Sequence, residues 1–375
     1  MLLTDVIGNL KVKKSLSKSL SQQRVPHSKL FFGSRGSGAL PLAIAFARLV
    51  LCQNKADNNS CHIKASKFQH PDLHFIYPVS QTKIVKTKAI SQNFIKEWRE
   101  FLLESPYGNL LEWYEKIGIE NKQGKIGKDE ANDIIKKINL KSFEGGWKCV
   151  VIWMAETMNA SATNKLLKIV EEPPKKTLFL FVCEKTDGLL DTLISRCQKV
   201  EVQSPTSVEI EEALVGKGYS ELESKKASVY CGRDYSLALS LIKGRYRYSD
   251  FELSFQNWVR MSFKVKTRPE ALLELVEWSK TVSKLGREVQ KSFLLFAIET
   301  FRQAFLTNKN LQQITSIEEK SDFNFNAFSN YVTQNNISEI YAELEEAYFH
   351  IESNGNPNIV FSDLSLKLTR LIHNG

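Results

Sequence analysis

Five short apolar runs within the first two hundred or so residues set the strongest limit on what this chain can fold into. They are Leu30–Gly33, Leu73–Tyr77, Cys149–Met154, Leu178–Val182 and Lys199–Val202. They are continuous more than alternating, as expected of strands buried on both faces of a parallel sheet. Between them lie stretches of helical periodicity: Val12–Gln22, Pro41–Cys52, Ile126–Ile138 and Ala160–Glu171. Strand then helix, repeated, predicts an α/β domain built on a parallel sheet.

A chain of 375 residues exceeds what one core usually holds. The polar, proline-containing segment Gln203–Ser207 follows the last apolar run and marks a boundary. Everything after it reads as helical. Residues 208–245 make two or three short helices, too small a unit to stand alone, and a second break falls near Lys243 and Gly244. Further on, Phe293, Ala297, Phe301 and Phe305 recur every fourth position, and Leu364, Leu368, Leu371 and Ile372 form another stripe. Such stripes predict the core of a helical bundle. The expected organisation is an α/β domain over 1–203, a small helical domain over 204–245 and an all-α domain over 246–375.

Hydrophobic residues at 42% and charged residues at 25% exclude a disordered or fibrous chain. No apolar run approaches the roughly 18–20 residues that span a bilayer. Met1–Lys14 lacks the apolar core of a signal peptide, so a cytoplasmic location is expected. Six cysteines are scattered at 52, 61, 149, 183, 197 and 231, and in that setting no disulfide framework is expected. The net charge of +9 is unevenly placed: residues 1–200 carry 31 Lys and Arg against 19 Asp and Glu, and residues 201–375 carry 20 against 23. The basic half fits either a polyanionic neighbour or a solvated lysine-rich surface.

After the first apolar run comes Gly33-Ser34-Arg35-Gly36-Ser37-Gly38-Ala39-Leu40 and then a helix beginning at Pro41. A phosphate-binding loop in this context reads G-x-x-x-x-G-K-[ST]. Gly33 and Gly38 have the right spacing, and Gly36 adds flexibility. Ala39, however, stands where a lysine should reach the terminal phosphates, and Leu40 where a hydroxyl should hold Mg²⁺. A second check is the acidic end of the third strand, where Asp would hold the metal and Glu would orient water. With Asn159 setting the register, Trp153 and Met154 occupy those positions, and Glu156 falls two or three positions late. A glycine loop before a helix still attracts an anion through its N–H groups. Tight Mg-ATP binding is not expected.

Several segments taken together resemble the AAA+ clamp-loader proteins of bacterial DNA polymerase III. Asp5-Val6-Ile7-Gly8-Asn9 is similar to the segment that leads into their nucleotide site, and Val25–Gly33 to the lead into their phosphate loop. His70–Phe75 is similar to the opening of their second strand. Asn164–Pro174 resembles their "NALLKxLEEPP" helix, and Leu189–Gln198 their "LLPTIxSRCQ" segment. The likeness is good over roughly residues 1–240 and holds only in outline beyond. It implies an AAA+-type α/β domain, a helical lid and an all-α collar. The degenerate loop points to the delta-prime branch, which does not hydrolyse ATP, and away from the gamma/tau branch.

The resemblance implies a role in placing the sliding clamp on primer-template DNA together with gamma/tau and delta subunits. It also implies that Arg196, in the Ser-Arg-Cys motif, acts in trans on ATP held by a neighbouring subunit, where a permanently charged guanidinium stabilises phosphoryl charge. Family members often hold zinc through C-x8-C-x2-C-x2-C. Here Cys52 and Cys61 keep the first spacing, but Lys64 and Lys67 fill the other two positions, so these cysteines are remnants and zinc is not expected. Gln81–Lys125 lengthens the connection between the second and third strands, and carries Trp98, Tyr107, Trp113 and Tyr114 among lysines and acids. Those aromatics suit either packing against the sheet or single-stranded nucleic acid, with packing preferred. Two competing functions stay open: an ATPase with an unusual loop, and a free-standing DNA-binding module, which would need a helix-turn-helix, finger or arginine stripe that the chain lacks.

Overall fold

The computed structural model describes every residue except 54, 57–58, 120–122, 145, 245–247, 312–322 and 375. The chain divides into two compact units, Met1–Glu209 and Ile210–Gly375. The first contains a five-stranded parallel sheet. Its strands are β1 (Ser28–Phe32), β2 (Leu73–Ile76), β3 (Lys148–Trp153), β4 (Thr177–Cys183) and β5 (Gln198–Glu201), ordered β2-β3-β4-β1-β5. The helices of this unit are α1 (Leu10–Ser21), α2 (Ala39–Leu51), α3 (Ser60–Ser66), α4 (Ile95–Glu104), α5 (Leu110–Ile117), α6 (Lys128–Asn139), α7 (Ala160–Glu171) and α8 (Asp191–Ile194).

All five expected strands are present, and every residue of β3 and β4 is buried, which is why both read as unbroken apolar runs. On one face Leu30, Val150, Ile152, Phe179 and Phe181 pack with Ile134 and Ile138 of α6 and Leu166 and Val170 of α7. Alternation sends Phe31, Cys149 and Val151 to the other face, where α2 lies and Cys149 Sγ approaches the Ala47 carbonyl. Two expectations need correction. β5 is not buried: Gln198, Lys199 and Glu201 are exposed because it is the edge strand, and polar side chains there discourage pairing with another chain. The helix after the loop starts at Ala39, not Pro41. Pro41 sits in its first turn, where a missing N–H leaves no hydrogen bond unmade.

The lengthened connection folds into α4 and α5, and its aromatics are core. Trp98 and Trp113 are fully buried. Trp98 stacks on Tyr77 at 4.1 Å and meets Trp153 at 5.2 Å, Trp113 at 5.1 Å and Phe101 at 5.5 Å. Buried rings are closed to nucleobases, so packing is the reading that holds for both tryptophans. The connection is pinned at its start. Tyr77 donates its N–H to Ser91 Oγ at 3.0 Å and its hydroxyl to the Ser91 carbonyl at 2.6 Å, and Ser91 N–H donates to Glu130 Oε2 at 2.6 Å. Burial pushes Glu130 up to about 7 against that backbone hydrogen bond.

The division between the units falls within α9 (Ser207–Val215). The second unit is helical: α10 (Glu221–Tyr230), α11 (Tyr235–Ile242), α12 (Tyr248–Lys264), α13 (Ala271–Ser283), α14 (Arg287–Asn308), α15 (Phe325–Ser329), α16 (Ile337–Glu352) and α17 (Pro357–Ile372). The expected domain boundary at 245/246 falls on residues outside those described. Phe293, Ala297 and Phe301 of the first stripe are buried and Phe305 half-buried; all four residues of the second stripe are buried. Trp258 stacks on Trp278 at 5.0 Å and donates its indole N–H to Ser365 Oγ at 2.9 Å, joining α12, α13 and α17. Among the described residues no helix is long and apolar enough to cross a membrane.

Two outcomes are expected. Glu130 binds its proton more tightly folded than unfolded, so its ionisation destabilises the fold. Its own contribution to stability is fully present below the unfolded carboxylate range, near pH 4.5, and is lost as pH rises to about 7. Glu130→Gln should remove about 2–3 kcal/mol of that loss, read as the difference between urea unfolding at pH 5 and pH 8. Trp258→Ala should cost the helical unit about 3–5 kcal/mol, measured by calorimetric melting.

Candidate functional site

In a parallel sheet every strand ends on the same edge, so the loops after β1, β3, β4 and β5 converge there. The loop after β1 carries Gly33, Gly36 and Gly38. Gly33 has a steric reason to lack a side chain: a Cβ would lie 2.2 Å from the Val202 carbonyl oxygen at the end of β5. Gly38 caps α2 at φ +92°, and a Cβ there would meet the Tyr107 ring at 3.0 Å. Both glycines of the phosphate-loop spacing are thus required by protein neighbours. Asn9, itself left-handed at φ +55°, ties the loop down: its Nδ2 donates to the carbonyls of Ser37 at 3.4 Å and Gln203 at 2.9 Å, and its Oδ1 accepts from Gln203 N–H at 3.0 Å. Ser34 and Ser204 hydroxyls pair at 2.7 Å.

The space above the loop is nearly filled. Its cavity is about 40 Å³, lined by Gly33–Pro41, by Pro106–Asn109, by Trp153 and Met154, and by Val182–Glu184. Sites that hold drug-sized ligands run to about 300–1,000 Å³. The filling comes from the turn between α4 and α5. Tyr107 is buried, and its hydroxyl accepts from Ile7 N–H at 2.8 Å. Ala39 and Leu40 are buried, and Trp153 turns into the aromatic cluster of the long connection. Tyr107 was not among the residues expected at this site. A Pro-Tyr-Gly turn before the Asn109 cap of α5 was the one signal of it in the sequence.

Glu156, the nearest carboxylate to the expected acidic position, does not line this cavity. It accepts the Glu184 N–H at 2.8 Å, and desolvation pushes it up to about 7. Its position makes it a cap on the end of β4. Arg196 follows α8 and lies on the surface, outside the cavity lining. Its guanidinium reaches Glu171 Oε1 at 2.5 Å and the Thr192 carbonyl at 2.7 Å, and its own carbonyl accepts from the Ser28 hydroxyl at 2.6 Å. The structure therefore groups Gly33, Gly36 and Gly38 and separates Arg196 from them.

Cys52 and Cys61 form a disulfide, contrary to the expectation of free thiols, because α3 folds back on α2 and brings their Cα atoms to 5.8 Å. Cys149, Cys183, Cys197 and Cys231 are free and buried. Cys61, His70 and Glu144 place one ligand atom each within 4.8 Å of the others, yet this donor set does not suit zinc. The sulfur is committed to Cys52. The Asp72 N–H donates to His70 Nδ1 at 3.2 Å, so the neutral ring carries its proton on Nε2, facing the other two groups. Burial keeps His70 below its usual range. Glu144 is already bonded to Lys55 at 2.6 Å and Lys64 at 3.1 Å, and those lysines hold it down at about 2.

Residues 8–206 match the family model described as DNA polymerase III, delta subunit. Subunit delta' of DNA polymerase III from Bacillus subtilis is 27% identical over 215 residues, 56% of this chain and 52% of that protein. Subunit tau of the same organism is 25% identical over 225 residues, 60% of this chain and 32% of that protein. Subunit delta' from Yersinia pestis is 40% identical over 90 residues, 24% and 26% of the two chains. The chain thus spans about half, or less, of the length of these relatives. With more than half of its residues matched by one family model, the chain belongs to the DNA polymerase III, delta subunit family.

Proposed function

We propose that this chain is a delta-prime-type subunit of the DNA polymerase III clamp loader, an AAA+ member that does not hydrolyse ATP itself. The observation that carries this reading is the closed loop: Ala39 and Leu40 replace the lysine and the hydroxyl, and Tyr107 packs on Gly38 in the space left over. Without a lysine and a metal ligand there is nothing to offset the charge of a triphosphate. The glycines remain, but their neighbours are backbone and an aromatic ring. Similarity to a tau subunit keeps the hydrolysing alternative worth testing, and the same residues weigh against it.

In this reading Arg196 is the catalytic contribution, made to ATP on a neighbouring gamma/tau subunit. Its place on the surface, clear of its own loop, suits action in trans. The Glu171 bridge joins two groups that are each over a third exposed, and pairs of that kind are worth about 0–1 kcal/mol. A neighbouring triphosphate competes for the guanidinium easily. Delta, the sliding clamp and primer-template DNA complete the proposed set of partners, with the all-α domain expected over 246–375, which holds α12–α17, as the collar.

The isolated chain should neither bind Mg-ATP at micromolar concentration nor hydrolyse it, and Tyr107→Ala should not restore either. Calorimetric titration with Mg-ATP and a phosphate-release assay check this; turnover by the wild-type chain would establish the hydrolysing alternative. Reconstituted with gamma/tau and delta, Arg196→Ala should lower DNA-stimulated ATP hydrolysis by tenfold or more, towards the roughly 10³-fold worth of an arginine finger. Glu171→Gln should leave that rate intact. Equal losses from both variants would mean that Arg196 acts only as a structural partner of Glu171.

A further inference from the structure

The segment between β2 and α4 holds a feature that neither the closed loop nor Arg196 uses. Residues 78–90 run from the end of β2 to Ser91 just before α4, and the Tyr77–Ser91 hydrogen bonds close their base. A compact loop with joined ends presents its tip as a fixed shape. The tip is a turn: Thr82 N–H donates to the Val85 carbonyl at 3.0 Å, and the Thr82 hydroxyl accepts from Ile84 N–H at 3.2 Å and Val85 N–H at 2.9 Å. Lys83, Lys86 and Lys88 are all exposed on it, and Ile84 is 93% exposed. No acidic residue lies between Asp72 and Glu97. A second segment adds to the charge: Val79 and Lys125 exchange backbone hydrogen bonds, which brings exposed Lys125 to the loop base. None of these four lysines makes an ion pair among the described residues.

We infer that this loop, with Lys83, Lys86 and Lys88 at its tip and Lys125 at its base, is a direct contact for the phosphate backbone of duplex DNA. Charge decides the partner. Cations with no internal counter-charge on a braced loop match a line of phosphates, whose neutralisation releases condensed counterions. The nearby tryptophans are buried, so the contact reads no bases by stacking. It is a contact that positions the protein and carries no sequence information. Ile84 sits beside it as a bystander. A protein surface with an apolar pocket would depend on Ile84 instead. The inference stands apart from the reading of the ATP site and of Arg196.

The test is fluorescence anisotropy of a short labelled DNA duplex titrated with the full-length chain, from roughly 50 to 200 mM salt. Wild type should bind with a salt-dependent constant. K83Q/K86Q/K88Q should weaken binding about tenfold or more at the lowest salt and make the log–log salt slope shallower by roughly 2 to 3, near 0.9 per lost phosphate contact. K11Q/K14Q/K18Q removes the same charge from exposed positions on α1, and should leave the slope within one unit of wild type. Ile84→Ala should change affinity less than threefold. The inference is overturned if wild type does not bind, if both lysine triples act alike, or if Ile84→Ala weakens binding while the loop triple does not.

Discussion

Trp153 ends β3 where a metal-binding carboxylate would serve an ATPase, and its ring instead meets Trp98 and Phe101. Much else in the α/β unit depends on that contact. Aromatic pairs add about 0.5–1.5 kcal/mol each beyond the area they bury, and here Phe75, Tyr77, Trp98, Phe101, Trp113 and Trp153 form one connected cluster. The cluster fixes α4 and α5 against the sheet. Their placement in turn sets the turn at Pro106–Asn109 over the glycine loop. Trp153 thus anchors the segment that fills the space above the glycine loop.

Chemistry in this unit is arranged outward. The buried ionisable groups are structural: Glu130 holds a loop base, Glu156 caps β4, and Asp72 accepts from Ser142 Oγ, Phe143 N–H and Glu144 N–H. Arg196 and the lysines of the 82–88 loop lie on the surface.

Much of this was legible in the sequence. Ala160–Glu171 has the bounds that its helical periodicity predicts, and Asn159 caps the helix, accepting from Ala162 N–H at 2.8 Å. The five strands were legible because burial on both faces leaves an unbroken apolar signature. Strand order was not, so β5 was read as interior when it is the edge. The closed loop was half legible. Ala39, Leu40, Trp153 and Met154 could be read as losses, but the gain of Tyr107 depends on a contact with Ile7 and Gly38 across distant parts of the chain. Cys52 and Cys61 were misread for a different reason: the sequence marks them as remnants of a zinc site with no disulfide expected, and the return of α3 on α2 that pairs them is not visible in their spacing.

The missing Cβ of Gly33 carries a lesson for how such chains are compared. A glycine held by a carbonyl 2.2 Å from where its side chain would begin is retained by strand geometry, whatever happens to the ligand. A motif scan across relatives would count it as a vote for nucleotide. In chains built this way the informative positions are the two that follow the last glycine, and the spacing of the glycines is a fossil of the sheet's own carpentry.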